Sequence, residues 1–198
     1  MEDDIERVLW SSDQISNRVT ELAAELNHDF SDAFLSPLSL PVFVGVATGA
    51  FVFLADLVRH LNFPFSIDLI RVSSYSVGTV SNGSPSISSD LKLDVSDKHV
   101  VLVEDIVDTG NTLSKLIEHL KLKGASSVSV CTFLDKPSRR KVSFELVGKG
   151  KFYRGFECPD HFVVGYGMDV AELYRNLPYV GILKPRCYNG IKEEHPKN

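Results

Sequence analysis

Apolar residues in this chain follow two alternating spacings, and the alternation predicts a fold. Short runs rich in Val, Ile and Phe predict buried β-strands, whereas apolar residues three or four positions apart predict helices that bury one face. We expect Ser12 or Asp13 to cap the first helix and Gly124 to end the last. The runs predict strands over 41–47, 65–72, 100–103 and 127–134, and the spacings predict helices over 12–26, about 50–61 and 113–122.

This order of elements predicts the α/β class. The central strand at 100–103, the helix after it and the strand at 127–134 form a crossover of about 35 residues, which favours parallel strands joined by a right-handed connection. Repeated along the chain, the pattern predicts an open doubly wound parallel sheet. In such sheets ligands bind beyond the carboxyl ends of the strands.

Two stretches depart from this pattern. Residues 73–90 are crowded with Ser, Gly and Asn, and a polar loop of this length is either a functional lid or disordered. Residues 144–156 are interpreted as an antiparallel excursion.

The segment after the central strand carries the clearest chemistry. Glu104 and Asp105 are adjacent acids, which repel each other unless they face hydroxyls, a metal or a developing cation. The loop 108–112, D-T-G-N-T, then combines a glycine, hydroxyls and the positive end of a new helix, the features that hold a phosphate. A plain helix cap by Asp108 or Thr109 is the alternative, but it does not account for the acids and the glycine together. The segment therefore predicts a ligand with both phosphate and sugar hydroxyls.

Two more segments fall at the same edge of the predicted sheet. Thr48 and Gly49 form a strand-to-helix turn, which is either an anion site or the ordinary turn of any α/β protein. Lys136 follows the strand at 127–134, where its ammonium can donate to a ligand, while Arg140 and Lys141 are expected to form a solvated basic cluster.

Composition narrows the function classes. The chain has 198 residues, 24% of them charged, and a net charge of −5, which fits one globular domain over 1–198 and argues against nucleic acid or an anionic membrane as a partner. Three widely spaced cysteines make neither a disulfide framework nor a zinc site. An acidic start is unlike a secretory signal. We therefore expect a cytoplasmic protein.

The segment E-D-I-V-D-T-G-N-T, residues 104–112, resembles the phosphoribosyl-pyrophosphate (PRPP) signature of type I phosphoribosyltransferases, and its wording is similar to the hypoxanthine-guanine branch. The opening V-L-x-S-x-x-Q-I-x-x-R-V-x-E-L from Val8 and the segment 157–169 resemble the same branch. The resemblance implies a small hood lobe made of N- and C-terminal segments, a base-binding hood at about 157–188 and a flexible loop at about 73–90 that begins with Ser74 and Tyr75.

The resemblance also implies an activity. The expected reaction transfers the 5-phosphoribosyl group of PRPP to N9 of hypoxanthine or guanine, giving IMP or GMP and pyrophosphate, which is purine salvage. Asp108 is the expected general base towards the purine N7. The other implied roles are PRPP binding by Glu104, Asp105, Asp108, Thr109, Gly110, Asn111 and Thr112, pyrophosphate binding by Thr48, Gly49 and Arg175, and Mg²⁺ binding by Glu104, Asp105 and Asp169.

The purine contacts follow from the same resemblance. Lys136 is expected to donate to the 6-oxygen, which rejects adenine. Phe162 is expected to stack on the base, Val163 to pair with its edge through the backbone, and Asp169 to line the site. From the residues alone, a phenylalanine before two valines also fits a strand in the core.

Other functions stay open at this point. A transferase that prefers xanthine and guanine is the nearest alternative, and an orotate transferase is more remote. A PRPP-sensing regulator that binds nucleic acid would need a basic face, which the acidic composition does not favour. The resemblance further implies a homodimer or homotetramer.

Overall fold

The computed structural model describes residues 1–31, 40–73 and 85–188. Strands and helices alternate through most of these residues. The strands are β1 (Ile5–Trp10), β2 (Val42–Ala47), β3 (Ser66–Ser73), β4 (Ser86–Ser89), β5 (His99–Val107), β6 (Ser127–Asp135), β7 (Phe152–Glu157), β8 (Val163–Val164) and β9 (Val180–Leu183), and the α-helices are α1 (Ser12–Asp29), α2 (Phe51–Val58) and α3 (Asn111–Leu122).

Six strands form the main sheet, in the order β4-β3-β2-β5-β6-β7. Strands β3, β2, β5, β6 and β7 run parallel, and only β4 is antiparallel to its neighbour. The predicted parallel α/β fold is confirmed. The antiparallel excursion predicted over 144–156 is wrong at its end, because β7 pairs in parallel with β6; an antiparallel bridge joins Val147 to Val128 before it.

Helices cover both faces of this sheet. On β5, Val101 and Val103 pack with α1 and α2, whereas Val100 and Leu102 pack with α3. A strand turns alternate side chains to opposite faces, so a continuous run of valine and leucine supplies both cores at once. This is the doubly wound arrangement that the sequence predicts.

Local signals explain where the helices begin and end. Ser11, and not Ser12 or Asp13, caps α1, since the Ser11 hydroxyl and the Gln14 side chain bond reciprocally to backbone amides as a capping box. Helix α3 ends at Leu122, followed by Gly124 at φ +83° as predicted. None of the helices in the described ranges is long and apolar enough to cross a membrane.

The polar stretch 73–90 is only partly described. Residues 86–89 form the edge strand β4 against β3, so that part of the loop prediction is wrong. Ser74 and Tyr75, predicted to begin the flexible loop, lie outside the described residues.

The two ends of the chain meet in a second sheet. Strand β1 pairs with β9, and β9 pairs with β8, all antiparallel. Lys184 Nζ donates to the Asp3 carbonyl over 2.7 Å and fastens the N-terminus to the end of β9. This three-stranded sheet combines N- and C-terminal segments, as expected for the hood.

Candidate active site at the carboxyl edge of the sheet

Three neighbouring parallel strands end at one edge, and the predicted phosphate and acid residues lie there. Strands β2, β5 and β6 are adjacent in the sheet and end at Ala47, Val107 and Asp135. Thr48 and Gly49 follow the first, the loop 108–112 follows the second, and Lys136 follows the third. The topology thus brings together three segments that are far apart in sequence.

Glu104 is buried and Asp105 is half-buried at this edge. Glu104 is 8% exposed, and its Oε2 atom has no hydrogen-bond partner among the described residues. Burial, and then the neighbouring Asp105 charge, raise the pKa of Glu104 well above its usual range. Burial also raises the pKa of Asp105, whose Oδ1 accepts a 2.8 Å bond from the Ile106 amide. A buried acceptor without a donor costs stability, so this oxygen is ready to accept from a hydroxyl or to bind a cation.

Two glycines let other loops approach the acids closely. A Cβ atom at Gly49 would overlap Asp105 Oδ2, and a Cβ atom at Gly167, which has φ +97°, would overlap the Gly49 carbonyl. Thr48, which precedes Gly49, is exposed and follows a cis peptide bond. The turn after β2 therefore touches both the acids and the segment before Asp169.

The loop 108–112 has the geometry of an anion site. Gly110 adopts φ +88°, and the Thr109 carbonyl accepts bonds from the amides of Lys141 and Val142 at 2.9 and 3.0 Å. Helix α3 begins at Asn111, and the first amides of a helix lack partners within it. The Asn111 amide makes a long 3.5 Å bond to Thr109 Oγ1, and the amides after it in the first turn, including that of Thr112, are left for an anion.

Asp108 has an ionic partner that the sequence did not indicate. Arg139 Nε lies 3.1 Å from Asp108 Oδ1 and 3.6 Å from Asp160 Oδ1. Arg139 and Asp108 are 44% and 42% exposed at their side chains, and such exposed pairs contribute little to stability. Asp108 is therefore open to a substrate at the mouth of the site.

Lys136 is buried beside the segment predicted to bind the base. It is 8% exposed, and its Nζ donates to the His161 carbonyl over 2.6 Å. One of its three donors is used in this way, which leaves the others for a ligand. The prediction that Arg140 belongs to a solvated cluster is wrong, because Arg140 forms an ion pair with the buried Asp135 and lies over the Phe144 ring. Lys141 is exposed as predicted.

Phe162 is not a core residue. Its side chain is 39% exposed and stacks on Tyr188, with ring centroids 4.6 Å apart and planes 16° apart. The Leu183 amide donates to the Phe162 carbonyl over 2.9 Å, so Val163 and Ile182 form a non-hydrogen-bonded pair and the backbone groups of Val163 point away from β9. An aromatic face and two backbone groups are thus presented side by side.

Asp169 and Arg175 are bonded to each other. Arg175 Nη2 lies 2.8 Å from Asp169 Oδ1, and Arg175 Nη1 donates to the Gly167 carbonyl over 2.7 Å. The Glu172 amide donates to the other Asp169 oxygen over 2.8 Å. Within the described ranges no three acidic, His or Cys side chains are grouped as a complete metal site. Asp169 therefore does not form one cluster with Glu104 and Asp105. Its segment approaches them because Gly167 lies against Gly49, which in turn lies against Asp105.

Sequence reasoning missed two residues of the site. Arg139 was passed over within a basic run, although its position three residues after Lys136 keeps it at the same edge. Tyr188 gave no local signal, because its partner Phe162 lies 26 positions earlier. Both contacts depend on tertiary structure.

Comparisons with known proteins agree with this geometry. Residues 11–171 match the family model described as the phosphoribosyl transferase domain. The chain is 46% identical to hypoxanthine-guanine phosphoribosyltransferase of Bacillus subtilis over 95% of this chain and 98% of that protein. A crystal structure of a hypoxanthine phosphoribosyltransferase from Staphylococcus aureus superposes with a TM-score of 0.82 at 41% identity, covering 95% of this chain and 96% of the other. A structure of a hypoxanthine-guanine-xanthine phosphoribosyltransferase gives 0.77 at 40% identity, covering 92% and 99%.

Proposed function

This chain belongs to the phosphoribosyl transferase domain family, and on that premise we propose that it transfers the 5-phosphoribosyl group of PRPP to N9 of hypoxanthine or guanine. The products are IMP or GMP and pyrophosphate. The observation that carries the proposal is the carboxyl edge of the sheet, where a buried acid with an unpartnered oxygen lies beside an anion loop. The identity of 46% to a hypoxanthine-guanine enzyme over nearly the whole chain supports the choice of base.

PRPP fits this edge in one orientation. The loop 108–112 holds the 5-phosphate on the amides of the first turn of α3, and Glu104 and Asp105 accept from the ribose hydroxyls, which supplies the donor that Glu104 Oε2 lacks. Thr48, Gly49 and Arg175 bind the pyrophosphate on the other side of the acids. Because the ribose is held at both ends, its reacting carbon is fixed relative to the base, and such positioning lowers the barrier.

Asp108 acts as the general base. When pyrophosphate leaves, positive charge develops on the ribose, close to the acidic pair, whose carboxylates stabilise it. As N9 attacks, Asp108 accepts the proton of the purine N7. Its exposure of 42% at the mouth of the site and its position next to the phosphate loop support this role, since a base must lie within hydrogen-bond reach of the proton.

The purine binds between the anion loop and the hood. Phe162 supplies the exposed aromatic face, and Val163 supplies backbone groups turned away from β9. Lys136 donates to the 6-oxygen. Because an ammonium has donors only, it pairs with a carbonyl and not with the amino group of adenine.

The donor set at this edge fits Mg²⁺. The ion prefers oxygen ligands and is usually held by one or two carboxylates together with substrate phosphates, and Glu104 has a free buried oxygen. Asp105 and Asp169 are the other proposed ligands. A bound Mg²⁺ supplies charge neutralisation for the departing pyrophosphate.

We also propose a homodimer or homotetramer of one-domain subunits in the cytoplasm. Ile67 and Leu69 point to the same face of β3 and are 45% and 43% exposed, and Phe51 at the start of α2 is 58% exposed. A second copy of the chain would cover such apolar residues. The three free cysteines, of which Cys131 and Cys158 are buried, support a reducing compartment.

A xanthine- and guanine-preferring transferase is the second candidate. The structural neighbour named for hypoxanthine, guanine and xanthine is 40% identical to this chain, and Lys136 does not distinguish the three bases because each carries a 6-oxygen.

The test is an assay of purified protein with PRPP and Mg²⁺ against hypoxanthine, guanine, xanthine, adenine and orotate in separate reactions, with the nucleotide product identified by mass. We expect product with hypoxanthine and guanine and none with adenine or orotate. Faster turnover of xanthine than hypoxanthine would favour the second candidate, and product with orotate alone would refute the purine assignment.

A further inference from the structure

The C-terminal segment reaches the proposed purine site. Strand β9 ends at Leu183, a short 3₁₀ turn spans Pro185–Cys187, and Tyr188 follows it. The Tyr188 amide donates to the Pro185 carbonyl over 3.2 Å. This turn directs the Tyr188 ring back onto Phe162, where the two rings stack nearly parallel at 4.6 Å.

The stack determines which face of Phe162 is open. Tyr188 covers one face of the ring, yet Phe162 remains 39% exposed. The exposed area therefore belongs to the opposite face and the ring edge. A phenylalanine side chain without support on either face would rotate between staggered positions, whereas the stack holds this ring in one plane.

The backbone of the same residue is fixed from two sides. Lys136 Nζ holds the His161 carbonyl at 2.6 Å, and the Leu183 amide holds the Phe162 carbonyl at 2.9 Å. Tyr188 adds the restraint on the side chain that these bonds to the backbone do not provide. The ring plane and the proposed 6-oxygen donor are thus connected through a single peptide unit.

We propose that Tyr188 is a positioning residue for the purine, which fixes the ring of Phe162 so that its open face is preorganised for the base. The proposal rests on the base-binding role of Phe162 in the proposed function. Preorganisation raises affinity because the side chain is already ordered before the ligand binds. The effect is expected on the purine and not on PRPP, since the Tyr188 ring stacks on Phe162 and packs with the apolar residues of the hood.

Steady-state kinetics of four variants test this proposal. Tyr188→Ala removes the stack, Tyr188→Phe keeps the aromatic face, and Phe162→Leu removes the platform itself. Arg186→Ala is the matched control, because Arg186 lies in the same turn, is 64% exposed and bonds to the N-terminal residues Asp3 and Asp4. The Michaelis constants for hypoxanthine and for PRPP are measured separately, and thermal unfolding is measured for every variant, because Tyr188 also packs against the hood core.

We expect Tyr188→Ala to raise the KM for hypoxanthine about 2- to 10-fold, the range that an aromatic pair contributes, with the KM for PRPP unchanged. Tyr188→Phe and Arg186→Ala should match the wild type. The proposal is overturned if Phe162→Leu raises the hypoxanthine KM while Tyr188→Ala does not, or if Tyr188→Ala raises both constants equally, as a general loss of structure would.

Two other outcomes also overturn it and are distinguishable. A lower hypoxanthine KM in Tyr188→Ala would mean that Tyr188 occupies the face that the purine needs. An unchanged KM in Phe162→Leu would refute the platform, and with it the purine contact in the proposed function, while turnover of hypoxanthine by the wild type would still support the reaction itself.

Discussion

Lys136 offers a sharp test of how the base is selected. The residue is 8% exposed, and its stem is enclosed while Nζ donates to the His161 carbonyl at 2.6 Å. Lys136→Met keeps an unbranched apolar stem of similar length and removes only the charged donor. The variant therefore isolates the hydrogen bond to the purine 6-oxygen from the packing of the side chain.

The size of the effect follows from the bond that is lost. A hydrogen bond from a charged donor contributes about 1.5–3 kcal/mol, which corresponds to a loss of about 10- to 150-fold in kcat/KM for hypoxanthine. Guanine carries the same 6-oxygen, so its kcat/KM should fall by a similar factor. The ratio of variant to wild-type kcat/KM should therefore be similar for the two bases.

Nucleotide formation with each base, measured at saturating PRPP, gives these ratios. Lys141→Met is the matched control, because Lys141 is an exposed lysine of the same segment. An unfolding midpoint close to that of the wild type shows that the His161 carbonyl tolerates the loss of its donor. Unchanged hypoxanthine kinetics in a folded Lys136→Met variant would refute the assignment of Lys136 to the 6-oxygen.

Three further predictions test other parts of the account. Asp108→Asn should slow turnover about 10²- to 10⁴-fold, the range of general base catalysis, while PRPP binding measured by calorimetry is preserved; unchanged turnover would refute the base. Gly49→Ala places a methyl group against Asp105 Oδ2. Overpacking of this kind costs about 1–3 kcal/mol, so kcat/KM for PRPP should fall about 5- to 150-fold. Normal kinetics would show that the turn after β2 does not touch the reacting site. Burial lowers the pKa of His99 from 6.5 to about 4. The fold therefore keeps its full stability with neutral His99 above pH 6.5, and up to about 3 kcal/mol of the free energy of unfolding is lost as the pH falls from 6.5 to 4. Denaturant titrations from pH 7 to pH 4 should show a steeper loss of stability for the wild type than for His99→Gln, and parallel curves would contradict this.

The main sheet was predictable because its strands carry their own signal. The run from Val100 to Val103 is apolar on both faces, which is what a strand between two layers of helices requires. Strand β4, with the sequence S-I-S-S, has one apolar residue and exists through its pairing with β3. A strand whose stability comes from its neighbour leaves little trace in its own sequence.

The direction of β7 could not be read locally. Its burial alternates only weakly, as expected at the edge of a sheet, and nothing in the segment specifies whether β6 lies parallel or antiparallel to it. Helix α1 begins at Ser12 as predicted, but its cap was misassigned for a different reason. The pattern S-x-x-Q of Ser11 and Gln14 is a capping box, which makes Ser11 the cap, whereas the apolar periodicity by itself pointed to Ser12 or Asp13.

Some parts of the candidate site were predictable from the sequence and others were not. The acids and the loop 108–112 follow from charge, glycine and position at the strand end. Arg140 was misjudged because its partner, Asp135, is a buried carboxylate at the end of β6. In the sequence Arg140 stands between Arg139 and Lys141, and such a basic run is expected to be solvated. The Phe162 face open to a ligand is defined by Tyr188, a contact that only the folded chain reveals.

A crystal structure with IMP and pyrophosphate bound would test the central claim most directly. The account predicts that the 5-phosphate lies on the loop 108–112, that the purine lies against the open face of Phe162, and that its 6-oxygen lies within hydrogen-bond distance of Lys136 Nζ. A nucleotide bound elsewhere, for example in the cavity of about 530 Å³ that α1 and α2 line together with residues 175–178, would contradict it.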